Sequence, residues 1–401
     1  MESIKLKENL YWVGMRDFDL KVFDVIVPTD YGTTYNSYIL KGSEKTALFE
    51  TVEGRFLDRY IPEIEEVVPV SKIDYLIQNH TEPDHCDGIS KIIDLNPDIT
   101  VVGTAMAINN LKEIMNRTDF KTMIVKDKET LSLGDITLEF ESVPNLHWPD
   151  TMWTYAKELK TLFTCDGFGC HFAVQDILRS KVTDEEGYWK AEKLYFDCIM
   201  GPFKNPFVLN ALKRFDTLDV DYVCPGHGPV LDSHISDVVD AYRKWSVEKM
   251  FSKPTVIIAY ASAYGYTKMA AEAISDGIHS AGDIDVKLVD LQTADLGDTV
   301  NMINDADGFL VGSPTIVGDA LPPVWNLLGN LHATIVKGKY AAAFGSYGWS
   351  GEAVGNLTVR LNQLKLNVLD GYKVKFRPSE SQLSEAKEYG AAFGRKVITH
   401  E

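Results

Sequence analysis

Cysteine is scarce in this chain: five residues in 401, an odd number, with no Cys-x-x-Cys pair among Cys86, Cys165, Cys170, Cys198 and Cys224. That argues against a disulfide framework and against a thiolate iron-sulfur or rubredoxin-type module. No apolar run approaches the ~20 residues of a membrane helix, and the start, Met1-Glu2-Ser3-Ile4-Lys5, carries no cleavable signal pattern. A soluble protein of a reducing cytoplasm is expected, with no membrane partner. Positive charge is also short. Forty Lys and Arg stand against 58 Asp and Glu, a net charge of −18, and no Lys/Arg cluster stands out along the sequence. A nucleic-acid partner is therefore not expected.

What the chain has in quantity is apolar material, 45% of its residues, enough for two ordinary cores. A boundary is expected near Phe251-Ser252-Lys253-Pro254, giving domains over 1–250 and 254–401. A closing helix is expected before it over 241–250, where Tyr242 and Trp245 share a face. After Pro254, short apolar strands at Thr255 to Tyr260, Val286 to Leu291, Gly308 to Val311 and Tyr340 to Phe344 alternate with helical stretches. Such alternation predicts a parallel sheet covered on both faces.

In the first domain, His80-Thr81-Glu82-Pro83-Asp84-His85 packs two imidazoles and two further carboxylates behind the apolar run Ile73 to Ile77. Nitrogen and oxygen donors without thiolates suit iron, manganese or zinc. Three later residues repeat the arrangement of a strand followed by a ligand-capable side chain. His147 comes after Ile136 to Val143, Asp166 after Leu162-Phe163-Thr164, and His227 after Tyr222-Val223. Strand ends of a sandwich gather at one edge, so the seven are expected to meet. Each histidine alone is more simply a surface or core residue; the set of seven is not.

Three loops at the carboxyl ends of the second domain's strands form another constellation. The first is Ser262-Ala263-Tyr264-Gly265-Tyr266-Thr267, before a helix expected from Lys268; amides and hydroxyls at a helix start make a phosphate cradle. The second spans Ser313, Pro314, Thr315, Ile316 and Gly318. The third spans Ser346, Tyr347, Gly348, Trp349 and Gly351, whose aromatic rings suit a flavin. The first resembles the phosphate loop of flavodoxins, with Tyr264 in place of a Thr.

The metal motif together with the order of the domains resembles the flavodiiron proteins, the oxygen and nitric oxide reductases of anaerobes, over nearly the whole chain. The resemblance implies a metallo-β-lactamase-like αββα sandwich followed by a flavodoxin-like doubly wound parallel sheet, an α+β unit and an α/β unit. It implies one iron held by His80, Glu82 and His147, a second held by Asp84, His85 and His227, and Asp166 bridging them. It also implies FMN on the three loops, reduction of O2 to water or of NO to N2O, and a head-to-tail homodimer or a dimer of dimers. The implied electron donor is rubredoxin, reduced F420 or a separate flavin reductase. No catalytic residue beyond the diiron ligands is expected. In hydrolytic relatives the position of Glu82 is normally His, and an anionic oxygen there favours iron over zinc. A zinc hydrolase fused to a flavodoxin module, and an electron carrier with an inert metal domain, are the competing readings. Trp148 is expected as packing or as a pocket wall, and His171 as packing or as a contact to the ligands. Cys86 and Cys165 are expected as small buried side chains.

Overall fold

The computed structural model of the protein describes residues 3–24 and 27–399. Contacts among them fall into two compact units that divide between Val247 and Glu248. The last helix of the first unit runs Ile235–Val247, starting and ending earlier than the sequence pattern suggests. Its buried face is Val238, Val239, Tyr242 and Ser246, so the inward stripe opens a full turn before Tyr242.

Two sheets build the first unit. The larger orders Ile4–Lys7, Leu10–Trp12, Tyr38–Lys41, Thr46–Phe49, Tyr75–Ile77, Thr100–Gly103 and Lys121–Ile124; it begins antiparallel and becomes parallel from Thr46–Phe49 onward. The smaller orders Thr130–Ser132, Thr137–Ser142, Met152–Ala156, Thr161–Cys165 and Tyr222–Pro225, with only the last pair parallel. Period-2 alternation sends each strand's side chains to opposite faces. Leu10, Tyr38, Phe49 and Ile77 from one sheet thus meet Leu138, Phe140, Met152 and Phe163 from the other in a buried inter-sheet core. Phe49 and Phe163 stack there at 3.8 Å between ring centroids. On the outer faces, Ile39, Leu48, Leu76 and Val101 pack under Tyr60, Ile64, Ile92 and Leu111 of the helices, and Trp153, Leu162 and Val223 pack under Tyr188, Tyr195 and Tyr242. The layers are helix, sheet, sheet, helix, the αββα sandwich expected.

The second unit is an all-parallel sheet ordered Asp285–Asp290, Thr255–Tyr260, Gly308–Gly312, Tyr340–Tyr347. Apolar clusters cover both faces, as a doubly wound sheet requires. Two strands lie outside the sequence expectation: Asn367–Val368 and Tyr372–Lys375, which pair in succession along the eight-residue strand Tyr340–Tyr347. At two and four residues they are too short to show a period. Among the described residues no helix is long and apolar enough to cross a membrane.

Candidate functional site

Strand direction gathers the seven metal-ligand candidates. Thr161–Cys165 and Tyr222–Pro225 run parallel and end side by side, which places Asp166 and His227 just past neighbouring carboxyl ends. His80 lies three residues beyond the strand Tyr75–Ile77, and Pro83 then opens a one-turn helix, Pro83–Cys86, where the sequence suggests a plain turn. Proline's fixed φ suits a first helical position, and the turn points Asp84 and His85 into the cluster.

Asp166 divides that cluster in two. Its Oδ2 lies 3.3 Å from both His80 Nε2 and His147 Nε2, and Glu82 Oε2 lies 3.2 Å and 3.0 Å from the same two nitrogens. Its Oδ1 lies 3.1 Å from His85 Nε2 and 3.6 Å from His227 Nε2, while Asp84 Oδ2 lies 3.5 Å and 3.0 Å from them. Within each group, His80–Glu82–His147–Asp166 and Asp84–His85–His227, the donor atoms lie within 4.8 Å of one another. The structure therefore brings all seven expected residues together.

Burial makes this arrangement costly without cations. Three carboxylates converge where Asp166 is 1% exposed, and Asp84 Oδ1, Asp166 Oδ2 and His85 Nδ1 have no hydrogen-bond partner. Burial opposes the charged imidazolium of His85, yet Asp84 and Asp166 outweigh it and push its pKa up to about 10. Burial likewise opposes ionisation of Asp166, and the surrounding histidines, led by His85, hold it well below the usual carboxylate range. Two cations would satisfy the lone pairs, and a set of four imidazoles and three carboxylates fits a hard transition metal such as iron. Glu82 and His147 keep 14% and 15% of their side chains exposed, whereas the other five keep at most 10%, so the cluster opens on the Glu82–His147 side.

The supporting residues were less visible in the sequence. Thr34 O accepts from His227 Nδ1 at 2.6 Å, which keeps the proton on Nδ1 and turns the Nε2 lone pair inward. Asp150 Oδ1 stands 3.6 Å from His80 Nδ1, and its other oxygen accepts from Thr81 N at 2.9 Å and Thr81 Oγ1 at 2.8 Å. Asp24 lies against Glu82; burial, then the charges of Glu82 and Asp84, push its carboxyl up to about 6. Only Asp150 had a sequence signal, as an acid in the same loop as His147. Replacing Asp150 with Ala should lower metal affinity about 10- to 100-fold, the usual loss when an outer partner of a ligand is removed. The orphaned Thr81 N–H should cost about 1–3 kcal/mol of stability. Chelator competition and a thermal melt measure the two.

The remaining residues stand beside the ligands: His171 touches one of them, Trp148 forms a wall, and the two cysteines are buried. His171 Nδ1 lies 2.9 Å from Thr33 Oγ1, and its ring sits 4.3 Å from Phe23 and 5.2 Å from His227, centroid to centroid. Trp148 stands edge-on to His80 at 5.1 Å and walls that side. Cys86 and Cys165 are buried. Cys165 comes within 4.8 Å of donor atoms of His85 and Asp166, but burial raises its thiol pKa well above the usual value and keeps it protonated.

In the second unit all three expected loops follow the carboxyl ends of adjacent strands, Thr255–Tyr260, Gly308–Gly312 and Tyr340–Tyr347. Gly265, with φ +82°, turns the first loop into the helix Tyr266–His279, which starts two residues earlier than expected because Gly tolerates this left-handed N-cap. Ser262 Oγ accepts from Lys268 N at 3.2 Å. The buried Thr267 hydroxyl lies 2.9 Å from Ser346 Oγ, tying the first loop to the third. Thr315 N donates to Ser346 O at 2.9 Å, tying the second to the third. Gly345 permits that approach: a Cβ there would stand 1.9 Å from Ser313 O. Ser313 does not offer its hydroxyl outward, because Oγ donates to Pro314 O and accepts from Leu321 N to close its own loop. Tyr264, Ile316, Gly318 and Trp349 are exposed around the cradle, and Tyr347 and Gly348 are half-buried. Backbone amides, a deep hydroxyl pair and free aromatic faces suit a phosphate joined to a flat ring.

Family models match both units of the chain. Residues 33–228 match the family model described as ODP family beta lactamase, and residues 258–390 match that described as Flavodoxin. The chain is 40% identical over 402 residues to the flavo-diiron protein FprA2 of Clostridium acetobutylicum, covering 99% of this chain and 100% of that one. It is 34% identical over 401 residues to the nitric oxide reductase of Moorella thermoacetica, covering 99% of each. Among solved structures it is similar to the rubredoxin oxygen:oxidoreductase of Desulfovibrio gigas, with TM-score 0.75 and 27% identity over 99% of each chain.

Proposed function

The chain belongs to the flavodiiron proteins, and from that membership we propose that it reduces O2 to water, and NO to N2O at the same site, with electrons delivered through FMN from an external donor. The observation that carries the reading is Asp166, whose two oxygens serve two separate ligand sets. A zinc hydrolase is disfavoured by Glu82, an anionic oxygen donor where hydrolytic relatives carry an imidazole. An inert scaffold is disfavoured by the full complement of seven converging donors.

In this reading His80, Glu82 and His147 would hold one iron and Asp84, His85 and His227 the other, with Asp166 offering one oxygen to each set. The three loops of the second unit hold FMN. When bound, FMN and the iron pair would supply the electrons for reduction of a small oxidant. The chain's own part is positional. Thr34 and Asp150 orient His227 and His80, Trp148 excludes water beside His80, and the exposed edge of Glu82 and His147 leaves a side open for substrate. The family resemblance supports a head-to-tail homodimer, and the scarcity of paired cysteines supports a cytoplasmic setting.

Purified holoprotein should contain roughly one FMN and two irons per chain. Once reduced chemically under anaerobic conditions, it should consume added O2 or NO. A fully loaded protein that consumed neither would defeat this reading. Thr267→Val should weaken FMN retention by about 0.5–1.5 kcal/mol, the worth of one hydrogen bond, with iron content unchanged. Equilibrium dialysis with flavin fluorescence measures the first quantity, and metal analysis the second.

A further inference from the structure

Lys373, Lys375 and Arg377 fall within five residues of the sequence, and strand pairing sets this short basic stretch beside the third loop. Lys373 and Lys375 face outward on the strand Tyr372–Lys375, on either side of the buried Val374, and Arg377 is exposed just beyond it. Pairing sets Lys373 opposite Gly345 and Lys375 opposite Tyr347, so the cations border the loop Ser346–Gly351. No described carboxylate lies within 4.0 Å of any of the three. Lys373 interacts electrostatically with Glu352 without forming an ion pair, and three cations so close together are conspicuous on a chain of net charge −18.

An apolar anchor sits among them. Phe376 is 56% exposed and holds φ +56°, a left-handed backbone that bulky residues avoid. The conformation is fixed by Phe376 N donating to Tyr347 O at 2.8 Å and by the ring lying over Gly348. No core burial offsets this strain, and an exposed strained aromatic beside a loop is a mark of a functional surface. A ring bordered by Arg and Lys has the composition of an interface centre with a charged rim.

We propose that Lys373, Lys375, Phe376 and Arg377 form the docking surface for a small acidic electron-carrier protein, which thereby reaches the flavin held by the adjoining loop. Two acidic proteins repel one another at long range, so a productive encounter needs a local positive field to set orientation. The ridge supplies that field at the edge of the cofactor loop. The proposal rests on the placement of FMN in the three loops. Each carrier molecule gives up one electron, so two are oxidised for each two-electron reduction of FMN, with protons taken from water.

The test is calorimetric titration of the full FMN-loaded chain with oxidised acidic rubredoxin as the probe, at about 20 mM and about 300 mM salt, between which the Debye length shrinks several-fold. Wild-type affinity should fall at least about tenfold from low to high salt. The variant Lys373→Glu/Lys375→Glu/Arg377→Glu should bind at least about tenfold more weakly at low salt and lose that salt dependence. Its flavin content and its rate of reduction by dithionite should be unchanged. Equal affinity in wild type and variant overturns the proposal. Loss of flavin in the variant overturns it too, by assigning the ridge to cofactor binding. A variant impaired only toward reduced nicotinamide nucleotide assigns it to a small phosphorylated donor, and one altered only in oligomeric state to contacts between copies of the chain. Absence of FMN from the wild-type protein would instead refute the underlying reading.

Discussion

An Asp166→Ala variant should lose the paired metal site while keeping its flavin. The substitution removes the one side chain whose two oxygens face both ligand sets, and leaves His80, His85, His147 and His227 around a void in a buried pocket. Removing one partner from a buried charge cluster costs about 3–5 kcal/mol. Expressed as lost transition-state stabilisation, about 4 kcal/mol is a thousandfold in rate. Iron content should fall below the pair, and turnover with O2 should fall by about a thousandfold or more. FMN content should match wild type, because every loop expected to hold the flavin lies in the other unit. Metal analysis, flavin absorbance and an oxygen electrode report the three quantities separately. Retained turnover would show that Asp166 does not bridge.

A second large effect concerns pH and is independent of metal. Glu192, on the helix Glu185–Tyr195, is fully buried. Its oxygens lie alongside the Tyr188 hydroxyl and the Cys170 thiol but make no hydrogen bond of ordinary geometry. Burial outweighs those neighbours and pushes its carboxyl from the ordinary 4.5 up to about 8. Between these values the folded protein keeps a proton that the unfolded chain has lost. Stability therefore falls by about 1.4 kcal/mol per pH unit as pH rises through this window and levels off above about 8. Glu192→Gln cannot ionise, so it should gain on wild type steadily from pH 5 to pH 8. Urea unfolding at pH 5, 7 and 9 makes the comparison. Glu50, also pushed up to about 8, titrates in both proteins and cancels in the difference. Parallel stability curves would show that Glu192 does not carry this proton.

Much of the site was legible because its ligands sit where strands stop. A buried strand is a run of apolar residues, and a His or Asp directly after one is conspicuous, as with Asp166 after Leu162-Phe163-Thr164. The second unit was legible for a related reason, since strands buried on both faces, such as Thr255–Tyr260, read as continuous apolar runs. Other features left no such trace. Thr34 supports His227 through a backbone carbonyl, which any residue supplies. The Ser313 hydroxyl turns inward to a partner eight residues away, Leu321, a closure no local pattern announces. The strand Tyr372–Lys375 is defined by its partner rather than by its own period, and that Lys373, Lys375 and Arg377 border the third loop is not known until the pairing is.

Anomalous diffraction at the iron edge from crystals of the anaerobically purified protein tests the central claim most directly. Two iron peaks in the first unit are predicted, one enclosed by His80, Glu82 and His147, the other by Asp84, His85 and His227, with Asp166 reaching both. A single peak, zinc in place of iron, or metal lodged away from these side chains would contradict it.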